Sequence, residues 1–220
     1  MQYDAILFDM DGTVLNTLDD LRGAVNAAMS AFGRPALTPE QVRRYVGNGS
    51  RRLLELALGD GADEALIERV LAWYKPYYDA HCRILTRPYE GVPELLAHLR
   101  ARGKKLAVVS NKPDSAVKTL AADFFPGLLE LAVGENESAG IRRKPWPDML
   151  DAAREALGAS RERCLYVGDS EVDLATAANA GLACASVSWG FRTPEELRAA
   201  GAGTLFPTPE ALEAYLLSDG

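Results

Sequence analysis

Cysteine and histidine are scarce in this chain of 220 residues. There are three cysteines, Cys82, Cys164 and Cys184, and two histidines, His81 and His98. An odd, scattered set of thiols is neither a disulfide framework nor a zinc site, and it suits a reducing compartment. The histidines match no triad or metal-ligand spacing. Long apolar runs are also missing, since none approaches the ~20 residues of a membrane span. The opening Met1-Gln2-Tyr3-Asp4 lacks the basic and then apolar stretches of a secretory leader. Positive charge is in deficit, with 24 Lys and Arg against 31 Asp and Glu, a net of −7. That argues against nonspecific nucleic-acid binding. It also means that an anionic substrate needs local cations. The expectations are a cytoplasmic protein with no membrane and no nucleic-acid partner.

What is present is an ordinary globular composition and one unusual strand end. Ala5-Ile6-Leu7-Phe8 reads as a buried strand, and it stops in Asp9-Met10-Asp11-Gly12-Thr13. In near-extended backbone Asp9 and Asp11 lean to one side and Met10 to the other. Two like charges so close raise one pKa unless a cation sits between them. A hard-metal site, an acid/base pair or a nucleophile beside an acid would all use such a pair. A solvated Asp-Gly turn would also produce it.

Context separates these readings. From Thr17 to about Arg83 the chain is helical, with apolar faces such as Leu21, Val25, Ala28 and Phe32. Thr38-Pro39-Glu40-Gln41 is a capping box, Asp63 opens a longer helix, and Pro76 is expected to kink or interrupt it. After Pro88 helices and apolar strands alternate, with strands at Lys105–Val109, Leu128–Val133, Cys164–Val167 and Ala183–Val187. Such alternation predicts an α/β fold: a Rossmann-like, doubly wound parallel sheet core covered on both faces, with an inserted α-helical block that the resemblance given below implies to be a cap. The expected core is residues 1–16 and 84–220, and the expected cap domain 17–83. Ligands of parallel sheets bind at the carboxyl ends of the strands. Those ends carry Asp9, then Ser110-Asn111-Lys112, then Arg142-Arg143-Lys144-Pro145 across a loop, then Gly168-Asp169-Ser170-Glu171-Val172-Asp173. Lys112 reads as solvated surface, and Trp189 as a packing residue.

Four motifs in this order, Asp9-x-Asp11-Gly-Thr13, Ser110, Lys144-Pro145 and Gly168-Asp169-x-x-x-Asp173, resemble those of the haloacid dehalogenase-like phosphohydrolases over essentially the whole chain. Val46-Gly47-Asn48-Gly49 and Trp189-Gly190-Phe191-Arg192 are similar to segments of the phosphoglycolate phosphatases and their close relatives. Asn16 departs from the family, which often has an acidic residue there. The resemblance implies an Mg2+-dependent phosphatase of a small phosphorylated metabolite, with 2-phosphoglycolate the leading substrate. It implies Asp9 as nucleophile, Asp11 as acid/base, and Ser110 and Lys144 as catalytic partners. Asp9, Asp11, Asp169 and Asp173 would serve the metal, with Asp173 either in an outer shell or paired with Lys144. Thr13, Asn111 and the cap residues Asn48, Gly49 and Arg52 would serve the substrate. The alternatives are a phosphatase of a sugar phosphate, nucleotide or pyrophosphate, a sugar phosphomutase, or a non-catalytic receiver-like or regulatory module. A homodimer is compatible with this reading.

Overall fold

The computed structural model describes residues 3–136 and 140–218. Met1 and Gln2, which begin the N-terminal stretch read above, lie outside them. The elements run β1 (Ala5–Phe8), β2 (Leu15–Asn16), α1 (Leu18–Ala31), α2 (Pro39–Tyr45), α3 (Gly49–Leu58) and α4 (Glu64–His81). They continue with β3 (Arg87–Pro88), α5 (Val92–Ala101), β4 (Lys105–Pro113), α6 (Asp114–Phe124), β5 (Leu131–Glu135), α7 (Asp148–Ala156) and β6 (Cys164–Gly168). The last are α8 (Glu171–Ala180), β7 (Ala183–Val187), α9 (Pro194–Ala199), β8 (Thr204–Phe206) and α10 (Pro209–Leu217). Two compact units result, Met1–Leu15 with Pro88–Gly220, and Asn16–Arg87.

In the larger unit all four residues of β1 are buried, as an apolar run without alternation requires of a central parallel strand. The six-stranded sheet has the order β5-β4-β1-β6-β7-β8, and every pairing is parallel. Leu7 sits opposite Ala107 on one side and Tyr166 on the other. Ala5, Leu7, Ala107, Cys164 and Tyr166 share a core with Met149, Leu150 and Ala153 of α7 and Ala177 and Ala180 of α8. β1 is where the winding reverses, with β4 and β5 on one side and β6 to β8 on the other. Ligand crevices form at such a switch point, outside the carboxyl ends of the strands.

β4 departs from the sequence reading. It does not stop at Val109 but runs on to Pro113, with an irregular register against β5 between Val109 and Pro113. Ser110, Asn111 and Lys112 are therefore strand residues, and all three are buried.

The smaller unit is built of helices that each bury one stripe. α1 contributes Leu21, Ala24, Val25, Ala28 and Met29; α3 contributes Leu53, Leu54 and Leu58; α4 contributes Ile67, Val70, Leu71, Tyr74 and Tyr78. The capping box at Thr38 and Gln41 closes in both directions, at 3.2 and 2.9 Å. Asp63 caps α4 through the Leu66 N–H at 2.8 Å. The buried Asp20 carboxylate accepts the N–H groups of Leu85 and Thr86. Pro76 does not interrupt α4. Its missing N–H removes one bond, while Tyr74 and Tyr78 bury on either side of it and stack at 5.6 Å. Packing here outweighs the local cost of proline.

Candidate active site

Asp9 continues the β1 ladder by one more bond, its N–H donating to Val167 O at 2.8 Å. The chain then turns back on itself, the N–H groups of Val14 and Leu15 both donating to Met10 O. Met10 is fully buried, which leaves Asp9 and Asp11 on the other side of the backbone. β6 ends one residue before Asp169, and Asp173 lies in the first turn of α8. Carboxylate oxygens of Asp9, Asp169 and Asp173 lie within 4.8 Å of one another, all three buried.

One cation is built into this cluster. Lys144 Nζ, 3% exposed, is 2.7 Å from Asp9 Oδ1, 2.8 Å from Asp173 Oδ1 and 3.0 Å from Tyr166 OH. Its backbone is held from β4, where Asn111 accepts the Lys144 N–H at 2.7 Å and donates to Lys144 O at 3.0 Å. Burial pushes the ammonium toward its neutral form, but Asp173 and Asp9 outweigh it and the Lys144 pKa is raised. For Asp9 burial dominates. Lys144 opposes it, Asp173 and Asp11 add to it, and the pKa stands at about 7. Burial, Asp173 and Asp9 also raise Asp169. Burial comes first in both rises, and the neighbouring carboxylates add to it.

Oxygen ligands of this kind suit a hard divalent cation. The donors are not equivalent. Asp173 Oδ1 accepts from Lys144 and from Tyr166 OH at 2.8 Å, and Oδ2 accepts from the Ser170 N–H at 3.1 Å and its hydroxyl at 2.6 Å. A carboxylate has about four lone-pair sites, so Asp173 has none to spare. Asp169 accepts the Phe191 N–H on Oδ2 at 2.6 Å and the Thr13 hydroxyl on Oδ1 at 3.4 Å.

Residues 3–181 match the family described as haloacid dehalogenase-like hydrolase. The chain belongs to this family. Among its relatives is the N-acetylmuramic acid 6-phosphate phosphatase of Pseudomonas aeruginosa, 33% identical over 202 residues, covering 89% of this chain and 86% of that protein. A phosphoglycolate phosphatase of Cereibacter sphaeroides is 36% identical over 192 residues, covering 85% and 86%. The crystal structure of a proposed phosphoglycolate phosphatase from Lactobacillus delbrueckii subsp. bulgaricus matches with a TM-score of 0.93 and 39% identity over all of both chains.

Within this haloacid dehalogenase-like hydrolase the residues singled out from sequence fall into two groups. Asp9, Asp11, Thr13, Ser110, Asn111, Lys144, Asp169 and Asp173 belong to the larger unit. Thr13 is fully buried against Asp169, and Ser110 Oγ accepts the Lys112 N–H at 3.3 Å. Asn48, Gly49 and Arg52 belong to the helical unit, at the start of α3. Arg52 is exposed and paired with Glu55 at 3.0 Å, while Arg51 is taken up by Glu55, Glu64 and Glu68.

Three contributors, Lys112, Tyr166 and Tyr89, escaped the sequence reading. Lys112 is not solvated: it is buried, and its ammonium lies 3.0 Å from Asp11 Oδ1. Tyr166 sits in a strand that reads as purely apolar. Tyr89 has its phenol pKa raised by burial and by the charges of Asp169 and Asp11. Trp189 packs, but its indole N–H also donates to Thr13 O at 2.9 Å, and Arg192 pairs with Glu171 at 2.8 Å. The segment after β7 thus clasps the acidic loops rather than merely following them.

Gly190 lies in that clasp, where an added Cβ would overlap Gly12 O and the Asp169 side chain. Gly190→Ala must displace one of them. A misplacement of about 1 Å costs roughly 10²-fold in rate, so we expect kcat/KM to fall by about that factor. An alanine variant with parental kinetics would show that the clasp does not set the geometry of Asp169.

Proposed function

We propose that this chain hydrolyses a small phosphate monoester through an aspartyl-phosphate on Asp9, with Mg2+ as cofactor. The chain is a phosphatase of the haloacid dehalogenase-like family. The observation that carries the detailed reading is a single buried lysine bridging Asp9 and Asp173, with Asp169 beside them, at the switch point of the sheet.

Asp9 presents its free oxygen to phosphorus while Lys144 holds the other. The P–O bond to the leaving group breaks as the Asp9–phosphorus bond forms. Asp11, held by Lys112, supplies a proton to the departing alkoxide and later takes one from the water that cleaves the acyl phosphate, restoring Asp9 and releasing inorganic phosphate. The side chains of Asp9 and Asp169 and the backbone carbonyl of Asp11 would hold Mg2+, whose contribution is to neutralise phosphoryl charge. Asp173, saturated by its four donors, positions Lys144 and stands in the outer shell. Ser110 and the backbone N–H of Asn111 hold phosphoryl oxygens. The helical unit acts as a cap that selects the substrate, with Asn48, Gly49 and Arg52 as its candidates.

For the substrate, 2-phosphoglycolate comes first, because several of the similar proteins are phosphoglycolate phosphatases. A sugar phosphate is the second reading, favoured by the N-acetylmuramic acid 6-phosphate phosphatase of P. aeruginosa. The two separate in kcat/KM on a panel holding both esters and neutral sugar phosphates, with Mg2+ and with chelator. We expect the highest value on 2-phosphoglycolate and its loss with chelator. A higher value on N-acetylmuramic acid 6-phosphate reverses the order of substrates. Turnover indifferent to chelator overturns the metal assignment.

A further inference from the structure

The ammonium of Lys144 has three protons and three neighbours: Asp9 Oδ1 at 2.7 Å, Asp173 Oδ1 at 2.8 Å and Tyr166 OH at 3.0 Å. Asp9 and Asp173 take one each, so the third goes to the Tyr166 oxygen. The phenol has a single proton of its own, and it is donated to Asp173 Oδ1 at 2.8 Å. The directions in this ring of contacts are therefore fixed. Lys144 donates to Tyr166, and both donate to Asp173. The phenol cannot wander, because Tyr166 is fully buried in the middle of β6, opposite Leu7 of β1 and Cys184 of β7. Asp173 is equally fixed by Ser170. Among the described residues, Lys144 is the side chain that holds Asp9 Oδ1.

We propose that Tyr166 is a positioning residue for the reaction: its hydroxyl fixes the place and rotation of the Lys144 ammonium so that one N–H stays on Asp9 Oδ1. Without that oxygen one N–H of a buried ammonium loses its acceptor, and the cation tilts away from the nucleophile. The filled valence of Lys144 has a corollary. Its action is on Asp9, with no fourth proton to offer a phosphoryl oxygen. The proposal rests on the reading of Asp9 as nucleophile.

Tyr166→Phe keeps the ring and removes the hydroxyl. The loss of a hydrogen bond to a charged group should lower kcat roughly 10- to 100-fold. KM and the half-saturating Mg2+ concentration should stay within about twofold, as expected when the lost interaction acts only in the transition state. A general loosening of the strand would lower these together. The decisive measurement is the double-mutant cycle with Lys144→Met. If Tyr166 acts through Lys144, adding Tyr166→Phe to Lys144→Met changes kcat by less than about twofold. Equal fractional losses in both backgrounds, or a Tyr166→Phe enzyme with parental kcat, overturn the proposal. Should Tyr166→Phe not fold, 3-fluorotyrosine at position 166, a weaker acceptor in the same shape, carries the test with a smaller loss of the same pattern, and no loss overturns it. Asp9→Asn runs beside these variants. If it is inactive while Tyr166→Phe is normal, the proposal alone falls; if it turns over undiminished, the nucleophile reading falls and takes the proposal with it.

Discussion

Asp9→Asn should be inactive and, without divalent cation, more stable than its parent. The loss of activity follows from chemistry. An amide does not form the aspartyl-phosphate, and losses of about 10⁴ or more accompany removal of a nucleophile. The gain in stability follows from burial. Asp9 has its pKa raised to about 7 in the fold, against about 3.9 for an unperturbed Asp. A carboxyl with a raised folded pKa binds more protons folded than unfolded, so its contribution to stability is full below about pH 4 and is lost as pH rises toward 7. Asparagine has the same shape and no charge to lose. Thermal unfolding in chelator should show the variant and parent close at pH 5 and the variant ahead at pH 8. Undiminished turnover would remove Asp9 from the nucleophile role. Equal midpoints at both pH values would mean that the acidic cluster is not held under repulsion.

Lys144→Met should lose kcat by about 10²- to 10³-fold, the usual effect of removing one stabilising donor, but move stability the other way. It leaves Asp9, Asp173 and the Tyr166 oxygen facing one another without the cation that they share. Breaking a buried pair from one side costs about 3–5 kcal/mol. The raised pKa of Lys144 places its stabilisation wholly below pH 10 and loses it only in strong alkali, so the parent has it at every pH of interest. The variant instead depends on protons: the lysine opposes the rise of the Asp9 pKa, and without it that rise goes further. The deficit of Lys144→Met should therefore be greatest near pH 8 and shrink toward pH 5. Mg2+ should recover part of it. Urea unfolding at the two pH values reads this directly, and a deficit independent of pH would mean that the lost lysine acts through packing alone.

Two impaired variants with opposite effects on stability describe one arrangement of charge, and its parts were unequally legible in the sequence. Asp9, Ser110, Lys144 and Asp169 could be found because each stands at or beyond the end of an apolar run, and parallel topology brings such ends together. Lys112 could not, because its burial depends on β4 continuing past Val109 through an irregular register that no periodicity announces. Tyr166 was hidden by its own usefulness to the core: in Cys-Leu-Tyr-Val-Gly a tyrosine reads as an apolar filler, and the hydroxyl matters only once Lys144 and Asp173 are placed beside it. The clasp after β7 gave a partial signal. Trp189-Gly190-Phe191-Arg192 stood out as a motif, but the contacts of its backbone N–H and indole are properties of the folded loop. Pro76 lies inside α4 without breaking it, because the tyrosines on either side of it are buried.

The central place of β1 has a consequence for how the protein is made. Within this chain the strand that leads to Asp9 precedes both of its edge partners, residues 105–108 and 164–167. At about 5–20 residues per second, a ribosome delivers the second partner roughly ten seconds or more after the first strand emerges. Through that interval Ala-Ile-Leu-Phe has an open edge and no sheet to join, while the helices of residues 16–87 are complete and local. The helical unit can be finished long before the centre of the sheet exists, so the nascent chain passes through a stage with its helices built and its buried acidic cluster unassembled.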